Sequence, residues 1–205
     1  SHPVDFTPDL IDAMVSIPAL CEDLNLPLQA GDDEVLRRMA RPYTARQYLD
    51  LVAEIRRAIP DIALSTDIIV GFPGETVEQF DRTVSMLREV EFDIVHVAAY
   101  SPRPGTAAAR KMVDDVPVDE KKRRLQVVER LQTEIAVRKN SALVGATVEV
   151  LVENRSKGKW SGRTRTNKLV FFESDSDLKG KLVQVQVKAA GPWSLRGVIA
   201  GGVKD

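Results

Sequence analysis

Three stretches of this 205-residue chain place polar and glycine-shaped residues where an α/β fold could build a ligand site. The sharpest is Asp67-Ile68-Ile69-Val70-Gly71-Phe72-Pro73-Gly74-Glu75, an apolar run that breaks into a glycine-rich turn ahead of a helix. Gly71 and Gly74 would let backbone approach a flat ligand, and free N–H groups in such a turn would meet its polar edge. No Gly-Lys-Ser/Thr follows, so the turn is not a phosphate loop. The same glycines could also serve the turn alone. Leu26-Pro27-Leu28-Gln29-Ala30-Gly31 and Tyr100-Ser101-Pro102-Arg103-Pro104-Gly105-Thr106 fall at equivalent strand ends. Ligands of parallel α/β folds sit at the carboxyl ends of strands, so three such ends on one rim favour a site. Asp67 interrupts an apolar strand; an unpaired buried carboxylate is costly, which puts it near the cavity or against backbone donors.

The tail carries a different chemistry. Residues 1–140 hold 18 Lys and Arg against 24 Asp and Glu, a net of −6, whereas residues 141–205 hold 11 against 6, a net of +5. Lys157, Lys159, Arg163, Arg165, Lys168 and Arg196 cluster around Trp160 and among Thr and Asn residues such as Asn167. That mixture holds RNA phosphates and stacks bases. Ordinary solubilising charge is the competing reading. His2 and His96 stand alone, without ligand spacing. The single cysteine, Cys21, excludes an internal disulfide and any multi-cysteine metal site built by this chain alone. It reads as a small buried apolar residue.

The elements that must position these groups follow from periodicity. Thr7-Pro8-Asp9 opens a helix with a hydroxyl cap and a proline. A helix over 45–59 stops at Pro60; a strand buried on both faces runs from Ile62 to Val70. Thr76-Val77-Glu78-Gln79 is a capping box ahead of Phe80, Val84, Leu87 and Val90. Phe92 to Tyr100 reads as another buried strand, and a long helix runs from Pro117 to about Leu143. Three strand–helix units in a row predict a parallel sheet or barrel. About 140 residues cannot close a full barrel of roughly 250, and no strand precedes the first helix cap, so the piece begins within a fold. After Gly145 the period changes. Strands over 147–152, 168–172, 182–187 and 194–199 predict a small closed β-barrel of the oligonucleotide-binding kind. The expected domains are 1–142 and 143–205.

With 43% hydrophobic and 29% charged residues the chain is too apolar for disorder. No apolar run reaches the roughly 20 residues of a membrane span, and the N-terminus lacks a signal peptide. A cytoplasmic setting is the simplest expectation.

Taken together, these motifs resemble a known family. Leu26 to Gln29, Val35 to Arg41, Ile69 to Thr76 and Tyr100 to Thr106 are similar to the radical S-adenosylmethionine methylthiotransferases. Gly162-Arg163-Thr164-Arg165-Thr166-Asn167-Lys168 and Ser194-Leu195-Arg196-Gly197 resemble the TRAM domain of the branch that acts on N6-isopentenyladenosine in tRNA. The resemblance implies the C-terminal part of a partial (βα) radical barrel followed by an OB-like TRAM barrel. It implies S-adenosylmethionine as cofactor, with Gln29, Arg41, Asp67, Gly71, Phe72, Pro73, Gly74, Glu75, Tyr100 and Ser101 around it. Arg41 would pair with the methionine carboxylate. It implies tRNA as partner, and [4Fe-4S] clusters in the full-length enzyme whose cysteine ligands this chain lacks. The chain alone is therefore expected to be inactive and to form no cluster, with the missing N-terminal portion of the enzyme as its natural partner. Ala30 stands where the family carries serine, and Ala107 where it carries proline. Branches acting on threonylcarbamoyl-adenosine, which His96-Val97 faintly resembles, or on a ribosomal-protein aspartate are the rivals within the family. A stand-alone RNA-binding module is the rival from another class.

Overall fold

A computed structural model describes residues 2–201, which form two compact units. Among the described residues, one comprises 2–20 and 24–132, the other 21–23 and 133–201. The sequence places the boundary at 142/143. The structure instead divides the long helix and assigns the three residues Cys21–Asp23 to the second unit.

In the first unit, α1 (Pro8–Ser16) starts at Pro8, and Thr7 takes the cap position without a side-chain bond. A three-stranded sheet follows, in the order β1 (Asp23–Asn25), β2 (Ala63–Val70), β3 (Ile94–Ala99). β2 and β3 are parallel, in register from Ser65↔Ile94 to Val70↔Ala99. The helices between them are α3 (Ala45–Ala58) and α4 (Val77–Val90), each opened by a complete capping box, Thr44 with Gln47 and Thr76 with Gln79. α3 buries Tyr48, Val52 and Ile55; α4 buries Phe80, Val84, Leu87 and Val90, as the spacing predicts.

Two expectations fail here. β3 is not buried on both faces: it is an edge strand, and His96 and Ala98 are exposed. The C-terminal half of β2 is open on the same side, since Asp67 and Ile69 are only half-buried. A short helix, α2 (Asp33–Arg38), also escapes the sequence reading because six residues carry too little periodicity. Asp32 caps it, accepting from the Glu34 and Val35 N–H groups at 3.1 Å.

After α5 (Ala107–Lys111), α6 (Val118–Ser141) runs from the first unit into the second. The second unit is a closed barrel of β4 (Thr147–Ser156), β5 (Lys159–Thr164), β6 (Leu169–Glu173), β7 (Leu182–Ala190) and β8 (Leu195–Ile199), in the order β4-β5-β6-β8-β7. All pairs are antiparallel except β6 with β8. β5 is not visible as a strand in the sequence because charge and glycine break its alternation. Gly162 is required there by contact: a Cβ would lie 2.1 Å from the Leu151 carbonyl oxygen of β4. Val150, Val152, Val170, Phe172 and Leu195 pack the barrel core together with Trp160. Among the described residues no helix is long and apolar enough to cross a membrane.

Candidate functional site

The segment that enters the site first, Leu26–Gln29, is pinned from one side. The Tyr48 hydroxyl donates to the Leu26 carbonyl at 2.6 Å, and Thr66 Oγ1 donates to the same oxygen at 2.9 Å. The Leu28 N–H donates to Thr66 Oγ1 at 2.8 Å, and the Tyr43 hydroxyl lies 3.1 and 3.2 Å from the Pro27 and Leu28 carbonyls. Burial pushes the Tyr48 phenol well above its ordinary value, so it remains a donor. So clamped, the chain delivers Gln29 in the left-handed region at φ +71°, bridging in parallel to Ile68. Such strain in a non-glycine residue persists only where its surroundings impose it, and it gathers at binding sites. Ala40, at φ +54°, is a second instance on the same wall.

These walls enclose a cleft of about 610 Å³ at the carboxyl ends of β2 and β3. Gln29, Arg41, Asp67, Phe72, Tyr100 and Ser101, all expected from the sequence, line it. The Phe72 and Tyr100 rings meet edge-to-face at 5.0 Å. Asp67 accepts from Asn25 Nδ2 at 3.2 Å rather than from backbone. Arg41 has a buried Nε with no hydrogen-bond partner. That nitrogen has almost no accessible surface, so an anion in the cleft would meet the outer guanidinium nitrogens of Arg41 instead. Among the other lining residues are His96, Ala98 and Arg103, which the sequence did not mark as site residues. The openness of the β3 edge brings them in, and no local pattern encodes it.

Gly71, Pro73, Gly74 and Glu75 do not line the cleft. The N–H groups of Gly71, Gly74 and Glu75 are not free for a ligand either. Gly71 donates to the Glu75 carboxylate and Gly74 donates to Asp115 Oδ1 at 2.7 Å. Glu75 turns inward, with its side chain 1% exposed, and pairs with Arg124 Nη1 at 2.8 Å. Burial pushes the Glu75 carboxyl above its usual range, while the Gly71 N–H and Arg124 pull it back. Pro73 gives its carbonyl to Arg38 Nη1. Lys121 of α6, also buried, donates to the Tyr100 carbonyl at 3.1 Å and pairs with Asp114. The glycine turn is thus a latch that α6 closes behind Phe72 and Tyr100, which are the residues that reach the cleft.

In the barrel, several expected RNA contacts are already taken. Trp160 is 4% exposed in the core, and its Nε1 donates to the Ser174 carbonyl at 3.2 Å, so its ring cannot stack on a base. Arg165 forms a two-nitrogen pair with Glu22, at 2.8 and 2.9 Å. Asn167 donates to Asp23 at 3.0 Å and receives Arg163 Nη1 at 3.2 Å. Lys159 lies 3.5 Å from Glu173. Lys157, at the β4–β5 turn, and Arg196, on the outer face of β8, are exposed. Cys21 is exposed rather than buried.

Acid should loosen both units. Hydrogen bonds from Arg123 and Arg124 hold the Glu120 carboxyl down at about 2, and Arg165 lowers Glu22. Folded values below the unfolded ones give stability that is present at neutral pH and lost as pH falls from about 4.5 towards 2. Melting temperature measured down a pH series should drop in that window. Glu120→Gln should flatten the drop.

Comparison with known proteins now bears on this geometry. The Radical SAM superfamily model matches residues 1–87, and the TRAM domain model matches residues 141–200. The chain is 56% identical over 196 residues to the tRNA-2-methylthio-N(6)-dimethylallyladenosine synthase of Dehalococcoides mccartyi (strain 195), covering 96% of this chain and 47% of that protein. The proteins of the same name in Roseiflexus sp. (strain RS-1) and Geobacillus thermodenitrificans are 51% and 50% identical over 203 residues. Those matches cover 98% of this chain and 43% and 39% of the relatives. The chain therefore spans less than half the length of these relatives. The radical SAM match ends within α4 at residue 87, short of β3 and Tyr100, which contribute to the same cleft.

Proposed function

We propose that the radical SAM domain forms part of an S-adenosylmethionine cleft, within the rim of a partial (βα) barrel, and that the TRAM domain binds tRNA. We propose further that together they form the C-terminal part of a methylthiotransferase acting at C2 of N6-isopentenyladenosine. One observation carries the reading: the cleft walled by the strained Gln29 and Ala40 is lined by the Arg41 guanidinium. The reaction is taken from the relatives, whose names give the 2-methylthio product.

The residues present fit the cofactor. The cleft volume lies in the ordinary range for small-molecule sites, and the outer guanidinium nitrogens of Arg41, which lines the cleft, would take the methionine carboxylate. Asp67 and Gln29 offer acceptors and donors for hydroxyl or amine groups, and Phe72 and Tyr100 offer apolar surface for the adenine. They do not fit a [4Fe-4S] cluster. The chain has one cysteine, and among the described residues no group of three His, Cys, Asp or Glu could hold a metal. Bound S-adenosylmethionine would supply the methyl group and, with a cluster held elsewhere in the enzyme, the radical chemistry. This chain's part is to orient the cofactor and exclude water from it.

A chimera tests the reading: this chain replaces the matching 196 residues of the Dehalococcoides mccartyi synthase. Mass spectrometry of tRNA nucleosides from a host lacking its own enzyme should show the methylthio group restored. In equilibrium dialysis, Arg41→Ala should weaken S-adenosylmethionine binding by roughly 10- to 150-fold, the value of one charge-assisted hydrogen bond. A folded, cluster-loaded chimera that leaves the nucleoside unmodified would overturn the reading.

A further inference from the structure

We propose that Trp193 is a base-stacking platform on the TRAM barrel, with Arg196 supplying phosphate contact from the same hairpin. The inference rests on the reading that this barrel meets tRNA. It concerns a residue that the sequence does not single out.

The chain has two tryptophans with opposite fates. Trp160 is core, whereas Trp193 is 59% exposed. An exposed indole gives up burial and is uncommon without a use. Trp193 sits at the tip of the β7–β8 turn, closed by the Gly191 N–H donating to the Ser194 carbonyl at 2.8 Å. Pro192 fixes the backbone dihedral just before it. From α6, buried Asn140 donates to the Gly191 and Pro192 carbonyls at 2.9 and 3.0 Å. The ring is therefore carried on a braced support, which lowers the ordering cost of stacking.

Its position in the barrel points to nucleic acid. In five-stranded OB-type barrels, oligonucleotides are held by the face of the second and third strands and by the first and last hairpin loops. Here those strands are β5 and β6, and the loops are the turns at Lys157 and Trp193. Arg196 projects outward from β8 in register with Phe171 of β6 and Ala189 of β7. Exposed Lys188 lies on the same hairpin. A flat aromatic among exposed cations, in a tail of net charge +5, suits an unpaired base with its phosphates.

The test uses the 205-residue chain with three RNAs: a tRNA, an anticodon-arm hairpin with its unpaired loop, and a fully paired duplex. Trp193→Ala, checked for folding by its thermal melt, should bind the hairpin and tRNA roughly 5- to 150-fold more weakly. The salt slope and the duplex affinity should stay unchanged, because stacking releases no counterions. Trp193→Phe should retain most of the affinity, and Arg196→Gln should lower the salt slope by about one. Hairpin RNA should quench wild-type tryptophan emission and leave that of Trp193→Phe nearly untouched. If Trp193→Ala binds all three RNAs as tightly as wild type, the ring serves a protein contact or none, and the inference is wrong. An equal loss on duplex and hairpin also overturns it. Wild-type chain that binds no RNA removes the tRNA reading itself.

Discussion

Gly71→Val is expected to lower the melting temperature of the α/β unit by about 5–20 °C, although the residue does not line the cleft. Its φ of +69° lies in the region that β-branched residues avoid, and a Cβ would fall 2.4 Å from Lys121 Cγ. Left-handed strain costs about 1–3 kcal/mol and overpacking a further 1–3 kcal/mol. For a chain of this size each kcal/mol shifts the melt by roughly 2–4 °C. Lys121 cannot step aside freely, because it is buried and bound to both Asp114 and the Tyr100 carbonyl. Adding Lys121→Ala should relieve the clash and recover part of the loss, leaving the dihedral strain. Far-ultraviolet circular dichroism follows the helical unit, while tryptophan emission follows only the barrel. A Gly71→Val chain that melts like wild type and binds no S-adenosylmethionine would restore direct contact between this turn and the cofactor.

Removing the Glu75 carboxylate should cost more. Glu75→Ala leaves Arg124, whose side chain is 3% exposed, without its buried counter-charge and the Gly71 N–H without an acceptor. Breaking one side of a buried pair costs about 3–5 kcal/mol. Glu75→Leu combined with Arg124→Met should recover much of that, because no charge is then stranded. The orphaned Gly71 N–H should keep the double variant about 1–3 kcal/mol below wild type. Denaturant unfolding of wild type, Glu75→Leu, Arg124→Met and the double variant closes a double-mutant cycle whose coupling energy should lie well above the roughly 0–1 kcal/mol of an exposed pair. Since Arg124 Nε also donates to Glu120 Oε1 at 2.7 Å, a small coupling would mean that Glu120 had taken over the charge.

The two units were legible in the sequence for different reasons. The capping box at Thr76, the buried strand ending at Val70 and the long α6 all follow from local rules, and local hydrogen bonds realise them. The barrel was legible from its change of period, although β5 was not, since Gly162 answers to the Leu151 carbonyl on a neighbouring strand. At the site, residue types narrowed the choice to three strand ends, and six of the ten expected cofactor residues do line one cleft. Direction was the part beyond reach. Spacing cannot show whether Glu75 points out to a ligand or in to Arg124, 49 residues away, because burial of that carboxylate depends on α6 arriving with a cation. The same holds for the tryptophans: the basic cluster drew attention to Trp160 and not to Trp193. Strand pairing put one ring inside the barrel and left the other at a turn tip, because alternate residues of a strand face opposite sides and only closure of the sheet decides which side is dry.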